Sequence, residues 1–221
     1  MAQESKKFAH RDGNWGLIAA LTDADGSVRH AMPVRLAGRD AAARDLADAV
    51  HALCWLHGRQ PGVIEHAAAN AAQPLAQDWL AEAAIGFTAE RAYLATLTAA
   101  VGHQPSTPGQ AESEAAVLGQ RHALDMLAQS ERAGCATGAA IALVLDWAAI
   151  RVPLDAAAVR FGVVPPPFAL PMDAEIETVV LSLGQTARIE RAIAFGAQQL
   201  LAQHRGLWDL LEARASARDH L

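Results

Sequence analysis

Aromatic residues make up only 5% of this 221-residue chain, and tyrosine occurs once, at Tyr93. Cysteine occurs twice, at Cys54 and Cys135, in neither a C-x-x-C pair nor a zinc-ligand spacing. Basic runs are missing beyond Lys6 and Lys7, the net charge is −6, and the arginines are spread among acids. Nucleic-acid binding needs a concentrated Lys/Arg footprint, so that partner class is excluded. The opening "MAQESKKFAHRDGNWG" has no apolar stretch of the kind a signal peptide requires. The greasiest stretch, "GCATGAAIALVLDWAAI" over 134–150, is closed by Asp146 and Arg151 short of a membrane span. A soluble cytoplasmic protein without a membrane or nucleic-acid partner is expected, and no cofactor.

What the chain does have is alanine, 52 residues of it. Alanine is the best intrinsic helix former, and small side chains let helix axes approach closely. The composition therefore predicts an all-α protein, and the length suits one large domain or one domain with an appendage.

Residues 15–36 read differently. In "LIAALTDADGSVRHAMPVRL", Val28, Met32, Val34 and Leu36 share one period-2 face, with Arg29 and Arg35 opposite. "DADG" is a turn signal, and Pro33 would confine the second strand to an edge. A small β-hairpin is predicted, within an N-terminal segment of residues 1–38. The same "DADGS" is not a calcium loop, because Val28 and Val34 stand where glycine and glutamate are needed.

From Asp40 the pattern is helical, giving a bundle domain over 39–221. One helix runs from about 40 to 58 and stops at "HGRQPG"; a short segment over 63–71 precedes a helix from Pro74 to Gly102. "HQPSTPG" implies that the next helix, from about 109, returns antiparallel. It meets glycines at 134 and 138 and continues to Arg151, after which 152–172, with "VVPPPF", reads as a strap. A last helix spans roughly 173–216. The expected architecture is an antiparallel bundle of four to six helices with a hairpin and a long Pro-rich crossover.

Helical wheels place at least one titratable group on each apolar stripe. His57 joins Leu46, Val50 and Leu53. Glu90 falls among Leu80, Ala83, Phe87, Leu94, Leu97 and Val101. Arg121 and Glu131 accompany Val117, Leu124, Leu127 and Ala128. Glu190 and His204 accompany Val179, Leu183, Ile193, Ala197, Leu201, Trp208 and Leu211. Asp48, His51, His122 and Asp125 fall off the stripes. Buried charges must be paired, neutralised or ligated, which makes these groups the candidate site. Glu90 and Arg121 lie equally far from the turn between their helices, roughly 18 Å at the helical rise, so they are expected to pair. His57, His66 and Glu131, with Cys135 nearby, are expected to share one end of the bundle as a candidate metal set. His57, His66, Glu90, Arg121, Glu131, Glu190 and His204 together form the candidate ligand-binding set.

Four antiparallel helices with inward carboxylates and histidines resemble the ferritin-like bundles. The resemblance implies that fold and a metal site. No glutamate here is followed three residues later by histidine, so an intact di-iron centre is not implied. "AQDWL" (76–80), Cys135 and "HRGLWDLL" (204–211) are similar to pieces of the TenA-type proteins of the haem-oxygenase-like class, which would make Cys135 a nucleophile. The tyrosines that line that family's pocket are missing. The reading that follows is a non-catalytic helical module binding a small apolar ligand or a partner protein, with a homodimer possible. The alternative is a metal-binding ferritin-like protein or a thiol-dependent hydrolase.

Overall fold

A computed structural model describes residues 13–71, 74–171, 173–183 and 186–220. Its regular structure among these residues is entirely helical: α1 Gly13–Asp25, a 3-10 turn Ser27–Arg29, α2 Ala31–Ala37, α3 Ala43–His57, α4 Val63–Asn70, α5 Pro74–Val101, α6 Gln110–Ala128, α7 Cys135–Phe161, α8 Asp173–Leu183 and α9 Ala187–Asp219.

The expected β-hairpin is absent from the described residues; α1, the 3-10 turn and α2 stand in its place. Met32 and Leu36 satisfy a helical i, i+4 spacing as well as a strand's, and both are buried, whereas Val28 and Val34 are exposed. Pro33 falls in the first turn of α2, where its missing N–H is not needed. The His30 side chain caps that turn by accepting the Met32 N–H at 3.0 Å. Gly26 serves close approach rather than a hairpin turn: a Cβ there would lie 2.3 Å from the Thr22 carbonyl oxygen and 2.9 Å from Asp146. Ile18, Met32 and Leu36 join the common core.

α7 is the central element, packing on α9 most extensively and also on α2, α3, α4, α5 and α6. It runs without interruption past Asp146, Arg151 and Pro153, so the strap begins at Gly162 (φ 73°) rather than at residue 152. Pro153 costs the helix one hydrogen bond, and burial of Leu154, Ala157 and Ala158 holds the last turns in place. By length and composition α7 could cross a membrane, but 78% of its most apolar window is buried against the other helices, which accounts for that composition. The expected last helix is two, α8 and α9, with Thr186 capping α9 through the Ile189 N–H.

Helices α5 and α6 do not return side by side. They scarcely touch, because α3 and α4 each pack against both. α7 and α9, by contrast, meet backbone to backbone. A Cβ on Gly138 would lie 2.0 Å from the Ile193 carbonyl oxygen, and one on Gly196 would lie 2.0 Å from that of Cys135. Gly196→Ala should therefore destabilise the protein by at least about 2 kcal/mol in urea unfolding. Gly119→Ala, in open space on α6, should stabilise it by about 0.5–1 kcal/mol. Equal effects at the two sites would contradict the close crossing.

Candidate functional site

Of the groups that the stripes place inside, His57, Glu90 and His204 are buried and Arg121 and Glu190 half-buried; His66, on no predicted stripe, is also half-buried. Glu131 is exposed, in the link between α6 and α7 rather than on a helix. Gly134, at φ 93°, starts α7 afresh, which breaks the helical run assumed for that glutamate.

The buried groups form three separate polar clusters. The first begins at Asp146, set in the most apolar helix. Its Oδ1 accepts the Ser27 N–H at 2.7 Å, and its Oδ2 accepts the Ser27 hydroxyl at 2.6 Å. Oδ2 also meets His204 Nδ1 at 2.6 Å. His204 Nε2 lies 2.9 Å from His57 Nε2, and Trp208 Nε1–H donates to the Ser27 hydroxyl at 2.8 Å. His57 stands edge-on to the rings of Trp147 and Phe87. Burial, with His204 and the Arg91 guanidinium close by, pushes His57 well below the usual histidine value of 6.5. Burial would raise the Asp146 carboxyl, but the His204 and Ser27 hydrogen bonds outweigh it and hold the group below its usual range. His204 Nδ1–H therefore donates to an ionised Asp146, and one proton lies between the two Nε2 atoms.

Those directions set the response to acid. An unfolded chain protonates this histidine below about 6.5, whereas the folded one keeps it neutral. The stability His57 contributes is present in full above that value and is lost as the pH falls towards the folded one. The lowered carboxylates, Asp146 with Asp48 and Glu65, give stability that is lost at still lower pH.

In the second cluster the partner of Glu90 is Arg151, not Arg121. Arg151 Nη1–H donates to both carboxylate oxygens, at 2.7 and 2.9 Å, and Trp147 Nε1–H adds a bond at 2.9 Å. Equal distance from a turn fixes height along two helices but cannot say whether they are neighbours, and α5 packs on α7 instead of α6. Arg151 also donates to the Pro166 carbonyl and to Asp155, so this cluster pins the strap to the core. Tyr93 donates to Asp155 at 2.8 Å, and burial together with that carboxylate pushes its phenol up.

The third cluster joins Asp45 and Asp48 of α3 to Arg214 and Arg218 of α9, with Thr107 between them. Asp48 was expected near solvent and is instead 1% exposed. Burial would raise its carboxyl, and the two guanidiniums hold it low. Beside the first cluster, Arg91 pairs with Glu65 and donates from Nε to the His57 carbonyl oxygen at 3.0 Å.

Among the described residues no three His, Cys, Asp or Glu side chains converge as a metal-binding group, so the set His57, His66 and Glu131 is not brought together. His57 and Arg121 do meet, with Arg91 and Asp125, around a cavity of about 20 Å³, room for roughly one water.

Larger concavities lie at the surface between α6, the 129–134 link and α9. One, of about 370 Å³, is bordered by Met126, Leu127, Arg132, Cys135, Phe195 and Gln199. The adjoining one, of about 710 Å³, shares Arg132 and Phe195 and adds Glu131, Thr186, Arg188 and Arg191. The Arg132 guanidinium lies 5.5 Å from the centre of the Phe195 ring. Met126 and Phe195 remain 62% and 42% exposed, while Cys135 is wholly buried beneath the groove. Of the seven candidate ligand-binding residues, Glu131 alone borders these concavities, together with Cys135, the candidate nucleophile.

The chain belongs to a family of unknown function, DUF6975, whose model matches residues 22–219. No curated protein and no solved structure matches it.

The Glu90 assignment has a direct check. Glu90→Ala should cost about 3 kcal/mol in urea unfolding by stranding Arg151, and the double change to Glu90→Leu and Arg151→Met far less. Arg121→Ala should be nearly neutral. A large loss in Arg121→Ala, or equal losses in the single and double variants, would contradict the pairing.

Proposed function

From the geometry of this DUF6975 member we propose that it is a non-catalytic helical-bundle module whose ligand, with an apolar body, lies in the groove between α6 and α9. The observation that carries this reading is the pair of adjoining concavities sharing Arg132 and Phe195, with Met126 and Phe195 left exposed. Ligand sites are commonly clefts of roughly 300–1,000 Å³ in which apolar walls supply affinity and a few polar groups orientation. Among the described residues, the buried acids, arginines and histidines of the interior are occupied with one another.

A thiol-dependent reaction fits less well. Cys135 borders the groove but has no exposed surface, and a reacting thiolate needs access.

The chain has four methionines, of which Met126 borders the groove and Met32 is buried in the core. With methyl-¹³C methionine, titration with 1-octanol should shift the Met126 methyl signal saturably and leave Met32 in place. Phe195→Ala should weaken that binding by several-fold, as expected for loss of an aromatic anchor. A Met126 signal that does not move, or that drifts without saturating and equally in Phe195→Ala, would overturn the proposal.

A further inference from the structure

The two ends of the groove differ in charge. Towards α6 its border carries no charge besides Arg132, with apolar Ala123, Met126, Leu127 and Phe195 beside the neutral Ser130, Gln199 and Gln203. Towards the start of α9 it carries Arg132, Arg188 and Arg191 against the single carboxylate of Glu131 among the described lining residues. This excess of positive charge occurs on a chain whose net charge is −6. The buried arginines offer a contrast: Arg91, Arg151, Arg214 and Arg218 are all held in ion pairs. Among the described residues none of Arg132, Arg188 and Arg191 makes an ion pair. The first turn of α9 opens on the same end, and its N-terminal partial charge adds to the guanidiniums, partly offset by Glu190 in that turn.

Guanidinium forks match the planar oxygens of carboxylates and the oxygens of phosphates. Building on the groove reading above, we infer that the ligand is a small amphiphilic oxyanion. Its apolar chain lies along Met126 and Phe195, and its anionic head sits among Arg132, Arg188 and Arg191. The stacking of Arg132 on Phe195 places one guanidinium at the junction between the two halves, where head and chain would meet.

The test compares probes of one chain length and different heads: 1-octanol, octanoate and octyl phosphate, each titrated against the Met126 methyl signal at low salt. At least one of the two anions should bind about tenfold or more tightly than octanol, an advantage that weakens as salt screens the exposed arginines. The double variant Arg188→Gln, Arg191→Gln should remove most of that advantage and leave octanol binding unchanged. Arg160→Gln, on the exposed last turn of α7, should leave it intact and so controls for net charge. If octanol binds and neither anion binds more tightly, the oxyanion head is refuted while the apolar groove stands. If the advantage survives in the double variant, the arginines are not its source and the proposal fails. If no probe shifts Met126, the groove reading and this inference fall together.

Discussion

A carboxylate in the middle of the most apolar helix is the constraint from which the rest of the structure can be read. Asp146 is 1% exposed on α7, and an unpaired charge there would cost several kcal/mol. Its partners come from widely separated parts of the chain: Ser27 from the turn between α1 and α2, and His204 from α9, with His57 of α3 continuing the line. Satisfying one charge thus draws four segments to one point. Gly26 fits the same need, since any side chain there would collide with the Asp146 carboxylate.

Packing and polar pairing reinforce each other along α7 and α9. The glycine contacts at 138 and 196 bring the backbones together near the start of α7, and the Asp146–His204 bond holds the two helices further along. Arg214 and Arg218 then tie the far end of α9 to α3. The strap is held by Arg151 through the Pro166 carbonyl. Because these interior groups answer one another, they specify the arrangement of helices and leave little free bonding capacity for a ligand. At the groove, Arg132, Arg188 and Arg191 make no ion pair among the described residues, and there the polar chemistry faces outward.

Much of this was legible in the residues. Nearly every apolar stripe position of α3, α5, α6 and α9 is buried, and the stripes place His57, Glu90 and His204 inside, although more than half of the buried positions of α3 and α9 lie outside them. Pairing was not legible, because a wheel gives the direction of a side chain but not which helix lies opposite. Arg121 was matched to Glu90 on loop length, although α3 and α4 stand between their helices. Asp48 shows a different failure: it lies off the α3 stripe, yet Arg214 and Arg218 cover it. The signal that could have exposed the core network was Asp146 itself. A charge inside a long apolar run can mark a buried, paired group as well as a helix end, and Arg151 five residues on is a second such mark. The 28–36 stretch misled because Met32 and Leu36 fit both periods. Only burial of those two, with Val28 and Val34 exposed, separates helix from strand.

The most direct test of the closed Asp146–His204–His57 line is the ionisation of His57, followed by ¹⁵N-histidine NMR with the signal assigned through its loss in His57→Gln. A histidine in water passes from neutral to charged between about pH 7.5 and 5.5. The account predicts that His57 keeps neutral-ring nitrogen shifts across that whole range while the protein stays folded. A His57 ring that becomes half-protonated near pH 6.5 in the folded protein would contradict it, because such a ring would have to be open to water and free of its buried neighbour.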